Sequence, residues 1–242
     1  MITYAQIWEK GNRTVNEDFV GSQIINENVA CFALADGLGG HGRGEVASRL
    51  VVENTLKIFR EEGLSADFLQ LIFEKGQEKL LNYQQKLHAI TEMKTTMVVC
   101  TISPDSIRWG HVGDSRLYFF RRRKIIRRTF DHSVPQMLVY AGEIREKDIR
   151  FHPDRNRLLK VMGVEWEKPE YELSDIEDRK GNEALLLCSD GFWELVDERK
   201  MEKYLKKAKS VQEWANLMKT EVMKNGKGKD MDNFSAICVW CN

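Results

Sequence analysis

The sequence has no excess charge of either sign: 37 lysines and arginines stand against 37 aspartates and glutamates in 242 residues. No global field therefore draws the chain to nucleic acid or to an anionic membrane surface. It also lacks any apolar run near the ~20 residues of a membrane span, and Met1-Ile2-Thr3-Tyr4 does not open a charged-then-apolar signal peptide. These absences lead to the expectation of a cytoplasmic protein with neither a membrane nor a nucleic-acid partner. Five cysteines make no even disulfide framework. Cys31, Cys100 and Cys188 lie in apolar, strand-like runs and are expected to be buried thiols. The single C-x-x-C pair, Cys238 and Cys241, falls inside a terminal strand pattern and reads as core before zinc or redox chemistry. There is no internal repeat and no low-complexity linker, so one compact domain over residues 1–242 is expected.

What is present is a succession of strand and helix signals. Short strands are predicted over 3–8, 18–25 and 29–35, then an amphipathic helix from Glu45 to about Gly63 and a second from Ala66 to Leu87, interrupted by Gly76. Strand patterns return over 96–102, 107–112, 116–120 and 124–130. Residues 131–165 are mixed and polar, a surface excursion with short helical pieces expected around Pro135 to Ala141 and Asn156 to Met162. A buried strand (184–188), two helices (197–208 and 211–223) and a final strand (234–240) follow. Strands come in consecutive groups and helices in pairs, which implies largely antiparallel sheets with helices packed outside them.

One octet stands out. Ala35-Asp36-Gly37-Leu38-Gly39-Gly40-His41-Gly42 ends an apolar run in a carboxylate and four glycines, so something must approach that backbone closely. A phosphate-cradling loop would need a lysine opening the next helix, and Arg43-Gly44-Glu45 supplies none. Asp36 therefore reads as a metal ligand before a nucleotide clamp, with a helix-capping turn as the plain alternative. Glu17-Asp18, Asp114, Asp190 and Asp232 share its context, each beside a Gly, Asn or Ser at the edge of an apolar run. A carboxylate held there is costly unless it is paired or binds a cation. Several of them, without a His pair or Cys cluster, point to oxygen-ligated Mg²⁺ or Mn²⁺.

Arg13-x-x-Asn16-Glu17-Asp18, the Asp36 octet, Thr95-Thr96, Val112-Gly113-Asp114-Ser115-Arg116, Asp131-His132-Ser133, Ser189-Asp190-Gly191 and Asp232-Asn233 resemble, in order and spacing, the motifs of the metal-dependent type 2C (PPM) Ser/Thr protein phosphatases. The stretch from Ala141 to Gly163 looks like the bacterial branch. The resemblance covers essentially the whole chain. It implies an α+β, four-layer α-β-β-α sandwich of two antiparallel sheets flanked by pairs of helices, with a metal cleft at one end and residues 131–165 as a flap beside it. It further implies that Asp36 bridges two ions and that the Gly37 carbonyl completes one shell. Asp190 and Asp232 would hold one ion, Glu17 or Asp18 the other, and Asp114 with Asp190 a third, weaker one, with Asn233 in support.

By the same resemblance a hydroxide shared by the ions attacks a phosphoserine or phosphothreonine monoester in line, and Arg13 binds the phosphate. Leu38 stands where eukaryotic relatives carry a histidine proposed as the proton donor. His41, a water on the third ion, and Asp18 through water are the alternatives; His132 reads as a loop brace. Lys94 replaces the usual glycine before the two threonines. The basic run Arg121 to Lys124 reads as a solvated hairpin. The expected partners are phosphorylated Ser/Thr proteins and an opposing cytoplasmic Ser/Thr kinase, with the chain acting as a monomer. A pseudophosphatase binding phosphoproteins through the same cleft, and a two-metal hydrolase of another class, are the competing readings. A dead member would lack one of Asp36, Asp190 or Asp232, and all are present.

Overall fold

A computed structural model describes residues 1–39 and 42–241. Its strands are β1 (Ile2–Glu9), β2 (Asp18–Asn26), β3 (Val29–Asp36), β4 (Met97–Ile102), β5 (Ser106–Val112), β6 (Arg116–Arg121), β7 (Lys124–Arg128), β8 (Glu172–Leu173), β9 (Glu177–Asp178), β10 (Glu183–Cys188) and β11 (Phe234–Cys241). The helices are α1 (Gly44–Glu62), α2 (Phe68–Lys86), α3 (Val134–Tyr140), the short α4 (Asp190–Trp193), α5 (Glu198–Lys207) and α6 (Val211–Gly226).

Two antiparallel sheets form. One runs β1-β11-β10-β6-β7; the other runs β2-β3-β4-β5-β8, with β9 also on β5. Strand alternation explains the layering, because successive side chains leave opposite faces. Phe32, Leu34, Val98 and Cys100 meet Leu117, Phe119, Leu185 and Ile237 between the sheets. The other face of the first sheet takes Trp214 and Met218 of α6 against Phe120. That of the second takes Val51 and Phe59 of α1 with Ile72 and Phe73 of α2. The expected α-β-β-α order is what forms, and all five cysteines are buried and free.

α2 runs unbroken through Gly76, where the absence of a Cβ leaves room for Met162, whose Cε would lie 3.1 Å from one. It begins at Phe68, two residues later than the pattern suggested. Arg122 and Arg123 form the β6–β7 turn with φ of 50° and 61°; the flanking Arg121 and Lys124 pair with Glu183 and Glu202.

The helix expected over 156–162 does not form. Its backbone is recruited elsewhere: Leu159 N–H donates to the His132 carbonyl, Val134 N–H to that of Arg157, and Thr95 and Met162 exchange both bonds. Those partners outcompete i→i−4 pairing. β8, β9 and a 3₁₀ turn at Glu146–Phe151 carried too few residues to show a period.

Candidate active site

One end of the sandwich gathers the acids. Asp18 opens β2 directly opposite Asp36, which closes β3. Asp114 lies in the β5–β6 turn, Asp190 follows β10 at the start of α4, and Asp232 precedes β11. A cleft of about 1030 Å³ opens there, lined by Arg13, Glu17, Asp36, Asp114, Asp190 and Asp232 and also by Asn156–Leu159, Val161 and Val164.

The backbone of Asp36 is fixed by the two threonines: its N–H donates to Thr96 Oγ1 at 3.0 Å, and its carbonyl accepts from Thr96 N–H and Thr95 Oγ1, both at 2.8 Å. Thr96 Oγ1 is 2.7 Å from Ser115 Oγ, which ties the neighbouring β5–β6 turn to the same support. Trp193 Nε1–H donates to the Asp114 carbonyl, and His132 Nδ1 accepts the Gly113 N–H, so His132 does brace its loop.

Glu17 and Asp18 separate in space. Glu17 lines the cleft. Asp18 is 1% exposed and set behind it, accepting from Ser189 Oγ at 2.8 Å while its Oδ1 has no partner. Asn233 latches the preceding loop: its Oδ1 accepts Glu17 N–H, and its Nδ2 donates to the Lys10 and Val15 carbonyls. Arg13 and Asp232, assigned from sequence to phosphate and metal, are paired with each other, Nε to Oδ1 at 3.0 Å and Nη2 to Oδ2 at 2.9 Å. Both side chains are about half exposed, at 51% and 44%. His41 and Gly40 lie outside the described residues. Ser189 and Trp193 hold the acids in place, the one through the Asp18 carboxylate and the other through the Asp114 carbonyl, yet sequence reasoning gave them no role of their own.

Gly37 and Gly39 line the cleft. A Cβ on Gly37 would lie 2.3 Å from the Gly44 backbone, and one on Gly39 would lie 1.9 Å from Glu17 Oε2. Gly37→Ala is expected to lower stability by about 1–3 kcal/mol, since two backbones must part. Gly39→Ala should cost much less, because the Glu17 carboxylate can rotate aside. Chemical denaturation of the two variants checks this, and equal losses would refute it.

The electrostatics are those of a crowded anionic site. Burial, then Asp18, Asp190 and Asp114, push the Asp36 carboxyl well above its ordinary value. Burial pushes Asp18 up to about 7 and, with Asp232, Asp190 up to about 6. Asp114 is raised well above its usual range by burial first and Asp190 second. Such a set relaxes when a cation enters. The donors are all oxygens, in carboxylates of fixed backbone with one orphaned buried oxygen on Asp18, which fits hard divalent ions.

Comparison with known proteins bears on the family and the fold. The family model described as protein phosphatase 2C matches residues 10–225. The serine/threonine phosphatase stp of Listeria monocytogenes is 32% identical over 230 residues, spanning 93% of this chain and 89% of the relative. The crystal structure of Stp1 from Staphylococcus aureus superposes with a TM-score of 0.90 at 28% identity, covering all of this chain and 96% of that one. The PstP catalytic domain in complex with two manganese ions gives 0.81 at 26% identity, with 99% and 97% coverage.

Proposed function

Because this chain belongs to the bacterial protein phosphatase 2C (PPM) family and is a metal-dependent protein Ser/Thr phosphatase, we propose that the acid-lined cleft is its catalytic centre. The carrying observation is the convergence of carboxylates from five separate segments on one end of the sandwich, at a cleft with room for a phosphorylated side chain. In this reading Asp36, Asp190, Asp232, Glu17 and the Gly37 carbonyl hold a pair of Mn²⁺ or Mg²⁺ ions, Asp18 supports them from behind, and Asp114 with Asp190 holds a third, weaker ion. When bound, the ions supply a water acidic enough to attack near neutral pH and neutralise the phosphoryl oxygens.

The protein's own residues do the rest. The Arg13–Asp232 pair is exposed and so contributes about 0–1 kcal/mol; the guanidinium can exchange its carboxylate for the oxygens of a phosphate monoester, whose geometry suits its planar fork. Thr95 and Thr96 keep Asp36 from shifting as charge develops at phosphorus. Residues 156–159, Val161 and Val164, which line the cleft, act as part of a flap over 131–165 that selects among substrates. His41 is the candidate donor of the proton the leaving alkoxide needs.

The substrates of a protein Ser/Thr phosphatase are phosphorylated Ser/Thr proteins. We further assign to this chain a single catalytic domain over 1–242, monomeric action, a cytoplasmic setting and an opposing Ser/Thr kinase. No helix among the described residues is long and apolar enough to cross a membrane, which accords with that setting. Purified protein is expected to release phosphate from a phosphothreonine peptide with Mn²⁺ and to stop when the metal is chelated. A peptide left intact in Mn²⁺, or turnover undiminished by chelation, would overturn the assignment of the cleft.

A further inference from the structure

Three side chains outside the cleft run in a line from the surface to the Gly113–Asp114 turn. Glu172 of β8 sits in register with His111 of β5. The His111 ring stacks on that of His132, with centroids 4.6 Å apart and planes 21° from parallel. His132 grips Gly113 by both of its backbone polar atoms: its own N–H donates to the Gly113 carbonyl at 2.9 Å, and its ring Nδ1 accepts the Gly113 N–H at 3.2 Å. Gly113 has φ of 98°, and a Cβ there would lie 2.6 Å from the Thr96 side chain, so this turn has little freedom of its own.

The hydrogen bonds determine where the proton on His132 resides. A ring nitrogen that accepts an N–H must present its lone pair, so neutral His132 carries its hydrogen on Nε2. Nε2 faces a carboxylate oxygen of Glu172 at 3.1 Å, an ion-pair distance, and has no well-aligned hydrogen bond to any described residue. The His132 ring beside it holds the Glu172 carboxyl below its ordinary value. His111 is engaged separately, its Nε2 2.8 Å from the Phe130 carbonyl.

The three groups come within 4.8 Å of one another, which invites the idea of an ion. Two features argue against it. An ion on His132 Nε2 would drive the proton to Nδ1, against the Gly113 N–H. Nearly parallel rings also direct their lone pairs side by side, whereas a metal needs them convergent.

We propose that Glu172 is a positioning residue for the phosphatase reaction: it selects the Nε2–H form of His132, which alone can accept from Gly113, and so sets the turn that presents Asp114 to the cleft. This rests on the reading of Asp114 as the holder of an ion. Carboxylate–histidine couples commonly orient groups at metal sites in this way. Here the oriented group is a backbone turn.

Glu172 is 55% exposed at its side chain, so its replacement leaves the core intact. In ¹⁵N-labelled, metal-free protein, wild-type His132 is expected to show the pure Nε2–H signature. Glu172→Ala should give a mixture of tautomers, and Glu172→Gln, which keeps an acceptor oxygen, should restore it. The Mn²⁺ concentration for half-activation should rise on the order of tenfold in Glu172→Ala, and less in Glu172→Gln. Unchanged ring-nitrogen signals in Glu172→Ala would overturn the proposal. So would a tautomer shift with an unchanged Mn²⁺ requirement, provided Asp114→Asn raises that requirement. If Asp114→Asn leaves the requirement unchanged, the assignment of Asp114 falls, and the presentation step falls with it.

Discussion

Asp36→Asn is expected to reduce peptide dephosphorylation by on the order of 10³-fold or more, while raising the melting temperature of the metal-free protein at alkaline pH. The loss follows from removing one charge at the centre of the site, where a single electrostatic contributor is worth about 10²- to 10³-fold even without bridging two ions. The stabilisation follows from linkage. The Asp18 carboxyl is pushed up to about 7, that of Asp190 to about 6, and that of Asp36 well above its ordinary value. Between about pH 4 and these values the folded chain therefore holds more protons than the unfolded one. Stability is greatest at the acid end of that window and falls as pH rises through it. Chelated wild type should melt lower at pH 8 than at pH 5.5, and Asp36→Asn should recover part of the difference. Each kcal/mol relieved is worth about 2–4 °C in a chain of this size. Thermal unfolding in chelator at both pH values, beside a Mn²⁺-dependent assay, measures both halves. Retained activity, or a variant that melts lower at pH 8, would refute the reading.

Asp131→Ala is expected to be the most damaging change away from the acids, at about 3–5 kcal/mol. Arg116 and Asp131 are almost wholly buried, 4% and 1% exposed at their side chains, and meet through two bonds of 2.7 and 2.5 Å. The guanidinium also lies over the Trp193 ring, 3.4 Å from its centroid, and donates to the Tyr118 hydroxyl. Truncating Asp131 leaves that cation in the protein interior with Glu198 Oε1 at 3.9 Å as its nearest remaining carboxylate, the costly way to break a buried pair. A fall in melting temperature of about 6–20 °C corresponds to this range. Because Trp193 also holds the Asp114 carbonyl, the Mn²⁺ requirement should rise in the folded fraction. Equilibrium denaturation decides the matter, and a loss under about 1 kcal/mol would show that the pair contributes little.

Much of this architecture is legible along the chain, for local reasons. Apolar runs ending in Asp36, Cys188 and Val112 mark strands whose ends must carry the adjoining acids, and the unbroken apolar character of β3 and β4 marks strands covered on both faces. What stays hidden is long-range. Nothing near Arg13 announces a carboxylate 219 positions away, and only the assembled sheets bring Asp232 to it. The neighbouring Glu17 and Asp18 look equivalent in sequence; the register that sets Asp18 against Asp36 sends one behind the cleft and the other into it. Residues 156–162 carry a helical pattern, yet a helix would forfeit bonds that His132, Val134 and Thr95 supply from elsewhere. Glu172 gives no signal at all, since β8 is two residues long.

The position of β11 bears on how the enzyme is made. It lies between β1 and β10, so that Ile2 pairs with Cys241 and Glu9 with Phe234. Contacts so distant in sequence form late and slowly. On the ribosome, β1 emerges well before its partner and waits until the segment that forms β11 has been synthesised. Asp232 and Asn233 arrive with that same final segment. If Asp232 holds an ion as proposed, a nascent chain without that segment lacks a complete metal site, and phosphatase activity is expected only once the segment that forms β11 has been made and paired.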